Sequence, residues 1–175
     1  GRSENLDFSA FASRYGLRLF SNFTYFLNDP TNGDQFEQLD RRNIFGGNIV
    51  WDFLELEKLS LRYGAELRAD IVENAGLYST RYRIRTSTIR QDAVDWLSLG
   101  SFIEAELDIS KALRAIVGLR GDHTQYEVEA FRAINSGSGE GSILSPKFSL
   151  IYSLNERAEL YANYGKGFHS NDVRG

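Results

Sequence analysis

The chain has 175 residues, enough for one ordinary domain, with a net charge of −4 at pH 7. Cysteine is absent and only two histidines are present, so disulfides and cysteine zinc sites are excluded and we expect neither a metal site nor a cofactor. The mild negative charge gives no general attraction to nucleic acid, and mean hydropathy is −0.36 without any run of about 18 apolar residues.

Alternation of apolar and polar residues predicts about eight long β-strands, because alternate side chains of a strand point to opposite faces. The alternation has no exception from Leu59 to Ile71. In chain order the predicted strands are Leu6–Ala12, Leu17–Leu27, Arg42–Phe53, Leu59–Ile71, Leu97–Ile109, 113–120, Pro146–Leu154 and Leu160–Phe168. Several exceed the about 5–6 residues of an average soluble strand and reach the about 9–11 that cross a bilayer.

The predicted connections alternate between short and long. Short turns are predicted near Ser13–Gly16, Leu54–Lys58, Ser110–Ala112 and Asn155–Arg157. Long loops are predicted near Asn28–Asp40, Glu73–Asp95 and Glu129–Ser142. In a meander this places all short turns at one rim, as in outer-membrane barrels with short periplasmic turns. We therefore predict an all-β fold, an antiparallel up-and-down meander that forms a section of a transmembrane β-barrel in the bacterial outer membrane.

Two other barrels share part of this pattern. A soluble ligand-binding barrel of lipocalin type would have the same alternation, with its charged residues outside. Carboxylates also occupy alternate positions at Glu104, Glu106 and Asp108, a spacing that alone does not forbid a hydrolase. Nothing else in the sequence supports catalysis, so we predict that the protein is not an enzyme and has no catalytic residues.

The final strands carry a more specific pattern. Ser145-Pro146-Lys147 begins one strand, and Tyr161-Ala162-Asn163-Tyr164-Gly165-Lys166-Gly167-Phe168 lies in the next. This combination resembles the barrel of TonB-dependent outer-membrane receptors, and residues 32–38, 41–42 and 118–122 are similar to other barrel segments of that family. The resemblance implies a barrel of about 22 strands with a plugged lumen. Residues 1–175 would then be a partial barrel domain, without the plug domain and the closing strands.

The resemblance also implies a function. Such receptors import scarce nutrients, commonly ferric siderophores for iron uptake, with energy relayed through TonB. The implied partners are a small-molecule nutrient chelate, the TonB complex through the absent plug region, membrane lipid and lipopolysaccharide, but no nucleic acid. The alternative is a small passive or structural eight-stranded outer-membrane barrel, since eight strands can close around a filled interior.

Candidate ligand-binding residues lie in the predicted long loops. Arg81, Arg83 and Arg85 would share one face if extended, next to Tyr82, and would offer paired N–H donors to an anionic ligand. The alternative is that these arginines are solvated or pair with acidic neighbours. His123 and His169 are predicted near the same rim, where a histidine either contacts a ligand or is an ordinary strand-end residue.

Overall fold

The computed structural model describes residues 4–167, which form one antiparallel sheet of seven strands. The strands are β1 (Asn5–Ser21), β2 (Phe36–Glu55), β3 (Leu59–Arg81), β4 (Ile84–Asp108), β5 (Leu113–Ala130), β6 (Gly137–Asn155) and β7 (Ala158–Gly165), with a 3₁₀ turn at Ala133–Asn135. Each strand pairs with its neighbours in sequence, so the predicted all-β meander is confirmed. No helix within residues 4–167 is long and apolar enough to cross a membrane.

The number of strands differs from the prediction because the turn expected at Ser13–Gly16 does not exist. These residues lie inside β1, where Gly16 pairs with Arg41 and Ser13 with Ile44 in unbroken register. Small and polar residues weaken an alternation pattern without interrupting the backbone hydrogen bonds between strands. The first two predicted strands are therefore largely one, which ends at Ser21.

The long loop predicted at Glu73–Asp95 is also wrong. β3 and β4 continue through this region and meet in a two-residue turn at Tyr82 and Arg83. Both turn residues have positive φ, 50° and 64°, as a type I′ hairpin turn requires. The loop predicted at Glu129–Ser142 likewise shrinks to residues 131–136.

The connections still fall on two rims. We call the edge with residues 56–58, 109–112 and 156–157 the lower rim, and the edge with residues 22–35, 82–83 and 131–136 the upper rim. β3 and β4 have 23 and 25 residues, far more than the about 9–11 needed to cross a bilayer. The upper rim therefore extends beyond the membrane mainly because the strands are long. Residues 22–35 form the one long loop at this rim within the part of the chain that the structure describes.

The lower two thirds of the sheet has one apolar and one charged face. The apolar face carries large exposed side chains, including Ile49, Trp51, Tyr63, Leu67, Leu99, Ile103, Leu119 and Phe148. On the charged face Arg62 is 2.6 Å from Asp52, and Arg114 is 3.1 Å from Glu106. In water such a face would expose a large apolar surface, which is unfavourable, whereas in a membrane it contacts lipid.

Some ion pairs on the charged face skip a strand. Arg120 on β5 reaches over β4 to Glu66 on β3 and also binds Asp122. Lys147 on β6 reaches over β5 to Glu104 on β4, with 2.9 Å between Nζ and Oε2. Gly100 leaves room for the first crossing, because a Cβ there would lie 2.5 Å from a guanidinium nitrogen of Arg120 and would displace it.

The two outer strands leave the sheet open. β1 pairs only with β2, and β7 pairs only with β6, within residues 4–167. Each therefore has one edge of backbone N–H and C=O groups without a strand partner. An open sheet with one apolar face is the geometry of a barrel section.

Candidate ligand-binding site at the upper rim

The tip of the β3–β4 hairpin is fixed by Gln35, which precedes β2. The Gln35 side-chain oxygen accepts hydrogen bonds from the Arg83 backbone N–H at 2.8 Å and from the Thr80 hydroxyl at 3.1 Å. The Gln35 backbone oxygen accepts a third, from the Thr80 N–H at 2.8 Å. The hairpin tip is thereby attached to the segment that enters β2.

Below the tip lies a buried charge, which together with its contacts we call the anchor cluster (Arg18, Phe20, Glu37, Tyr78 and Arg85). The Glu37 carboxylate is fully buried and accepts hydrogen bonds from Arg85 at 2.6 and 3.1 Å and from Arg18 at 2.7 Å. The Arg85 guanidinium also lies over the Tyr78 ring, 3.6 Å from its centroid. This contact adds a cation–π interaction to two charge-assisted hydrogen bonds.

Hydrogen bonding determines the ionisation of Glu37. The Arg85 guanidinium lowers the pKa of the Glu37 carboxyl, and the hydrogen bond from Arg18 lowers it further, against the opposing effect of burial. The same bond to Glu37 raises the pKa of Arg85. Glu37 is therefore a buried carboxylate that stays charged because two guanidinium groups compensate it.

The three predicted arginines do not form one basic ridge. Arg85 pairs with Thr80, and Arg81 pairs with Ile84, so Arg81 and Arg85 lie on opposite faces of the hairpin. Arg83 sits in the turn, with its guanidinium 5.4 Å from the Phe20 ring centroid. Pairing with an acidic neighbour, the alternative from the sequence, holds for Arg85 because of Glu37.

Arg81 instead lines a cleft, which we call the rim cavity. Its volume is about 740 Å³, and it lies between residues 22–35 and the hairpin face that carries Ser79 and Arg81. This face is continuous with the charged face of the sheet lower down. The other lining side chains are mostly neutral and polar, among them Asn28, Asn32, Gln35, Gln38, Ser79 and Thr86.

The wall formed by residues 22–35 is stabilised by two aspartates. Asp34 accepts hydrogen bonds from the backbone N–H groups of Asn28 and Asp29, at 2.9 and 2.7 Å, and from the Thr24 hydroxyl at 2.8 Å. Asp29 accepts hydrogen bonds from the backbone N–H groups of Thr31 and Asn32. The pKa of Asp34 is lowered mainly by the hydrogen bond from the Asn28 backbone N–H. The pKa of Asp29 is lowered mainly by the hydrogen bond from the Asn32 side chain. Both carboxylates therefore hold the loop in shape.

The other predicted binding residues lie apart from the rim cavity. Tyr82 is 82% exposed at the hairpin tip, where the Arg81 guanidinium lies 5.5 Å from its ring centroid. His123 lies on the apolar face of β5, where Nδ1 is 2.8 Å from the Ser142 hydroxyl and Nε2 is 3.0 Å from the Gln125 side-chain nitrogen. His169 lies outside the described residues.

Sequence reasoning missed the residues that organise this rim. Gln35 and Glu37 lie in the predicted loop Asn28–Asp40, and Tyr78 lies in the predicted loop Glu73–Asp95, so no alternation pattern links them. A buried ion pair between distant strands leaves no periodic signal. Within residues 4–167, no group of three or more His, Cys, Asp or Glu side chains is placed to hold a metal ion.

Comparison with known proteins agrees with this geometry. The sequence profile described as TonB dependent receptor-like, beta-barrel, matches residues 2–174. Comparison with curated proteins found no significant match. Among solved structures, the unliganded ferric citrate transporter FecA superposes with a TM-score of 0.74 at 13% identity, over 93% of this chain and 24% of FecA. The chain thus belongs to the TonB-dependent receptor β-barrel family of the bacterial outer membrane.

Proposed function

We propose that this sheet is part of an outer-membrane transport receptor that binds a nutrient chelate, such as a ferric siderophore, at its upper rim. The family supports a receptor of the transport class. The chain spans about a quarter of the length of FecA, so the activity, ligand and partners of the whole protein all belong to the proposal. No catalytic step is needed, because non-covalent contacts supply the affinity.

The rim cavity is the observation that carries the ligand-binding proposal. It combines one guanidinium, that of Arg81, with amide and hydroxyl groups on a face continuous with the charged face. The carboxylates of Asp29 and Asp34 also line it, and they accept hydrogen bonds from groups within the loop. Ferric siderophore and citrate complexes present carboxylate, hydroxamate or catecholate oxygens, which accept hydrogen bonds from such donors. The anchor cluster and Gln35 support this role, since they fix the hairpin that carries Arg81.

Energised import is the second part of the proposal. The likeness of the sheet to a section that makes up about a quarter of the FecA chain favours a large barrel over a small eight-stranded one. A barrel of that size has room for a plug that responds to TonB, and its apolar face would meet membrane lipid and lipopolysaccharide. Uptake of the radiolabelled chelate by cells should stop when TonB is deleted, whereas continued uptake would mean passive entry.

The binding test uses the full-length receptor in detergent and three probes: ferric citrate, a ferric hydroxamate and a ferric catecholate. We expect one probe to bind, and Arg81→Ala to weaken its binding about tenfold, which corresponds to the loss of one charge-assisted contact of about 1.4 kcal/mol. Isothermal titration calorimetry measures both affinities. The matched control is Arg157→Ala, the same substitution in the lower-rim turn 156–157.

Two outcomes would contradict the proposal. If no ferric chelate binds the wild-type receptor, the ligand class is wrong. If Arg81→Ala and Arg157→Ala weaken binding equally, the rim cavity is not the binding site. The loss of affinity would then reflect the change in the net charge of the receptor.

A further inference from the structure

The rim cavity carries more negative than positive charge. Among its described lining residues Arg81 is the one that is basic, whereas Asp29 and Asp34 are acidic. Arg81 forms no ion pair within residues 4–167, and its guanidinium lies 5.5 Å from the Tyr82 ring centroid. One cation and two carboxylates give this lining a net charge of −1, so its field repels an anion.

The negative charge of this lining persists at neutral pH. Hydrogen bonds within the loop lower the pKa values of Asp29 and Asp34, so both carboxyl groups stay ionised. The donors are backbone N–H groups, the side-chain amides of Asn28 and Asn32 and the hydroxyl of Thr24, all of which are uncharged. The loop therefore holds these two charges in place without neutralising them.

The charged face below the cavity adds no further cation that an anionic ligand could use. Apart from Arg81, each Lys or Arg that the strands within residues 4–167 place on this face forms an ion pair with a carboxylate of the same face: Arg42, Arg62, Arg68, Arg90, Arg114, Arg120 and Lys147. Asp7 and Glu159 also lie on this face, and their hydrogen-bond donors are neutral side chains. The described part of the face therefore has an excess of negative charge.

The rest of the cavity lining is uncharged. Amide and hydroxyl groups, such as those of Asn28, Gln38 and Ser79, offer hydrogen bonds, and Phe36 and Leu77 add apolar surface. The volume of about 740 Å³ lies within the range of about 300–1,000 Å³ that is typical of small-molecule sites. This lining suits a ligand with a polar surface and no negative charge.

We propose that the rim cavity selects a ferric chelate without net negative charge, namely a ferric trihydroxamate, an inference that rests on the proposed function. Three singly charged hydroxamate groups neutralise one ferric ion, whereas the complexes with three catecholates or with citrate are anionic. The Arg81 guanidinium donates hydrogen bonds to the hydroxamate oxygens. Asp29 and Asp34 disfavour the anionic chelates, because like charges brought close together repel each other.

The test is isothermal titration calorimetry of the full-length receptor in detergent with two matched probes. They are the ferric complexes of desferrioxamine B in which the terminal amine is acetylated or succinylated, so that the same trihydroxamate is uncharged or negatively charged. We expect the acetylated complex to bind about fivefold more tightly or better, and the ratio to shrink at high salt, which screens the repulsion. Equal affinities of the two complexes would overturn the proposal.

Ferric citrate and a ferric catecholate separate this inference from the proposed function. If either anionic chelate binds more tightly than both desferrioxamine complexes, the selection for an uncharged chelate is wrong and the proposed receptor function stands. If no ferric chelate binds, the proposed function is wrong as well.

Two variants change the charge of the cavity lining. Gln38→Lys adds a cation at an exposed position of β2. Asp29→Asn removes a carboxylate, and its amide oxygen can still accept hydrogen bonds from the backbone N–H groups of Thr31 and Asn32. We expect each variant to raise the affinity for the succinylated complex about fivefold and to change that for the acetylated complex much less.

The matched control is Gln125→Lys, the same substitution on the apolar face, where Gln125 pairs with Leu97. If Gln38→Lys leaves the ratio of the two affinities unchanged, the cavity does not select by charge and the proposal is wrong. An equal change in Gln125→Lys would also overturn it, because the selection would then reflect the net charge of the receptor.

Discussion

Glu37 on β2 accepts two hydrogen bonds from Arg85 on β4, although the whole of β3 lies between these strands. Arg85 makes this contact by crossing the ring of Tyr78, which is the β3 partner of Glu37. Three strands of the upper rim are therefore held together by one carboxylate. This arrangement places Arg81 on the opposite face of the same hairpin, toward the rim cavity.

Replacing Glu37 with Gln should loosen the hairpin. The substitution removes the charge that compensates Arg18 and Arg85. Loss of one partner from charge-assisted hydrogen bonds should lower the free energy of unfolding by about 1–3 kcal/mol, and not by more, because both arginines are partly exposed to solvent. Protection factors of amides in residues 78–90, from hydrogen exchange of the full-length receptor, should fall about tenfold. Glu129→Gln is the control, and equal protection in both variants would show that Glu37 does not anchor the hairpin.

The contribution of Glu37 should depend on pH in one direction. Its pKa is lowered in the folded state, so its stabilisation is complete above the unfolded pKa of about 4.3 and is lost as the pH falls through the folded pKa. The difference in protection between wild type and Glu37→Gln should be constant from about pH 8 to pH 5.5 and should shrink below about pH 4.5. A difference that grew on acidification would have the wrong sign.

Gly100→Ala should release Arg120 from Glu66. The new Cβ would lie 2.5 Å from a terminal nitrogen of Arg120, which is flexible and moves aside at little cost. We expect a loss of about 1 kcal/mol in urea unfolding, because the pair is partly exposed. Gly118→Ala, whose Cβ would have no neighbour closer than 3.6 Å, should change stability less.

A double-mutant cycle makes this prediction specific. In a Glu66→Gln background Gly100→Ala should cost clearly less than in the wild type, because the contact that it breaks is already absent. Additive effects would mean that Gly100 acts through the backbone and not through the ion pair.

Asp34→Ala should open the wall of the rim cavity. The substitution leaves the backbone N–H groups of Asn28 and Asp29 and the Thr24 hydroxyl without their shared acceptor. We expect chymotrypsin to cleave at Phe23, Tyr25 or Phe26 at least several times faster than in the wild type. Thr31→Ala is the control, since the hydrogen bond of Thr31 to Asp29 uses its backbone N–H. Equal cleavage of both variants would exclude a role of Asp34 in shaping the loop.

The sequence predicted the membrane-spanning part of the fold well and the upper rim poorly. From Leu59 to Ile71 alternation is strict because lipid requires apolar residues at every second position. Above Ile71 the strand leaves the apolar band, and a bulge between Val72 and Ala75 shifts its phase. Beyond the membrane a strand needs no apolar face, so its sequence lacks the alternation and predicts a loop.

The predicted basic ridge failed for a different reason, an unpredicted turn. An extended segment would place Arg81, Arg83 and Arg85 on one face, but the turn at Tyr82 and Arg83 reverses the chain between them. The strand pairing also has an irregularity close to this turn, between Ser79 and Thr80. Turn geometry that uses Tyr and Arg at positive φ carries none of the usual Asn-Gly signal, so sequence reasoning had no means to locate it.

The ion pairs that skip a strand also bear on the order of assembly. Glu37 on β2 pairs with Arg85 on β4, Glu66 on β3 with Arg120 on β5, and Glu104 on β4 with Lys147 on β6. In each pair the carboxylate comes first and its cation arrives two strands later. If the strands dock in chain order, a newly formed hairpin thus carries an acid that lacks one cationic partner until the next strand docks, and Glu37 then has only Arg18 of β1. Each addition at the growing edge therefore favours the one after it and disfavours stopping at a hairpin.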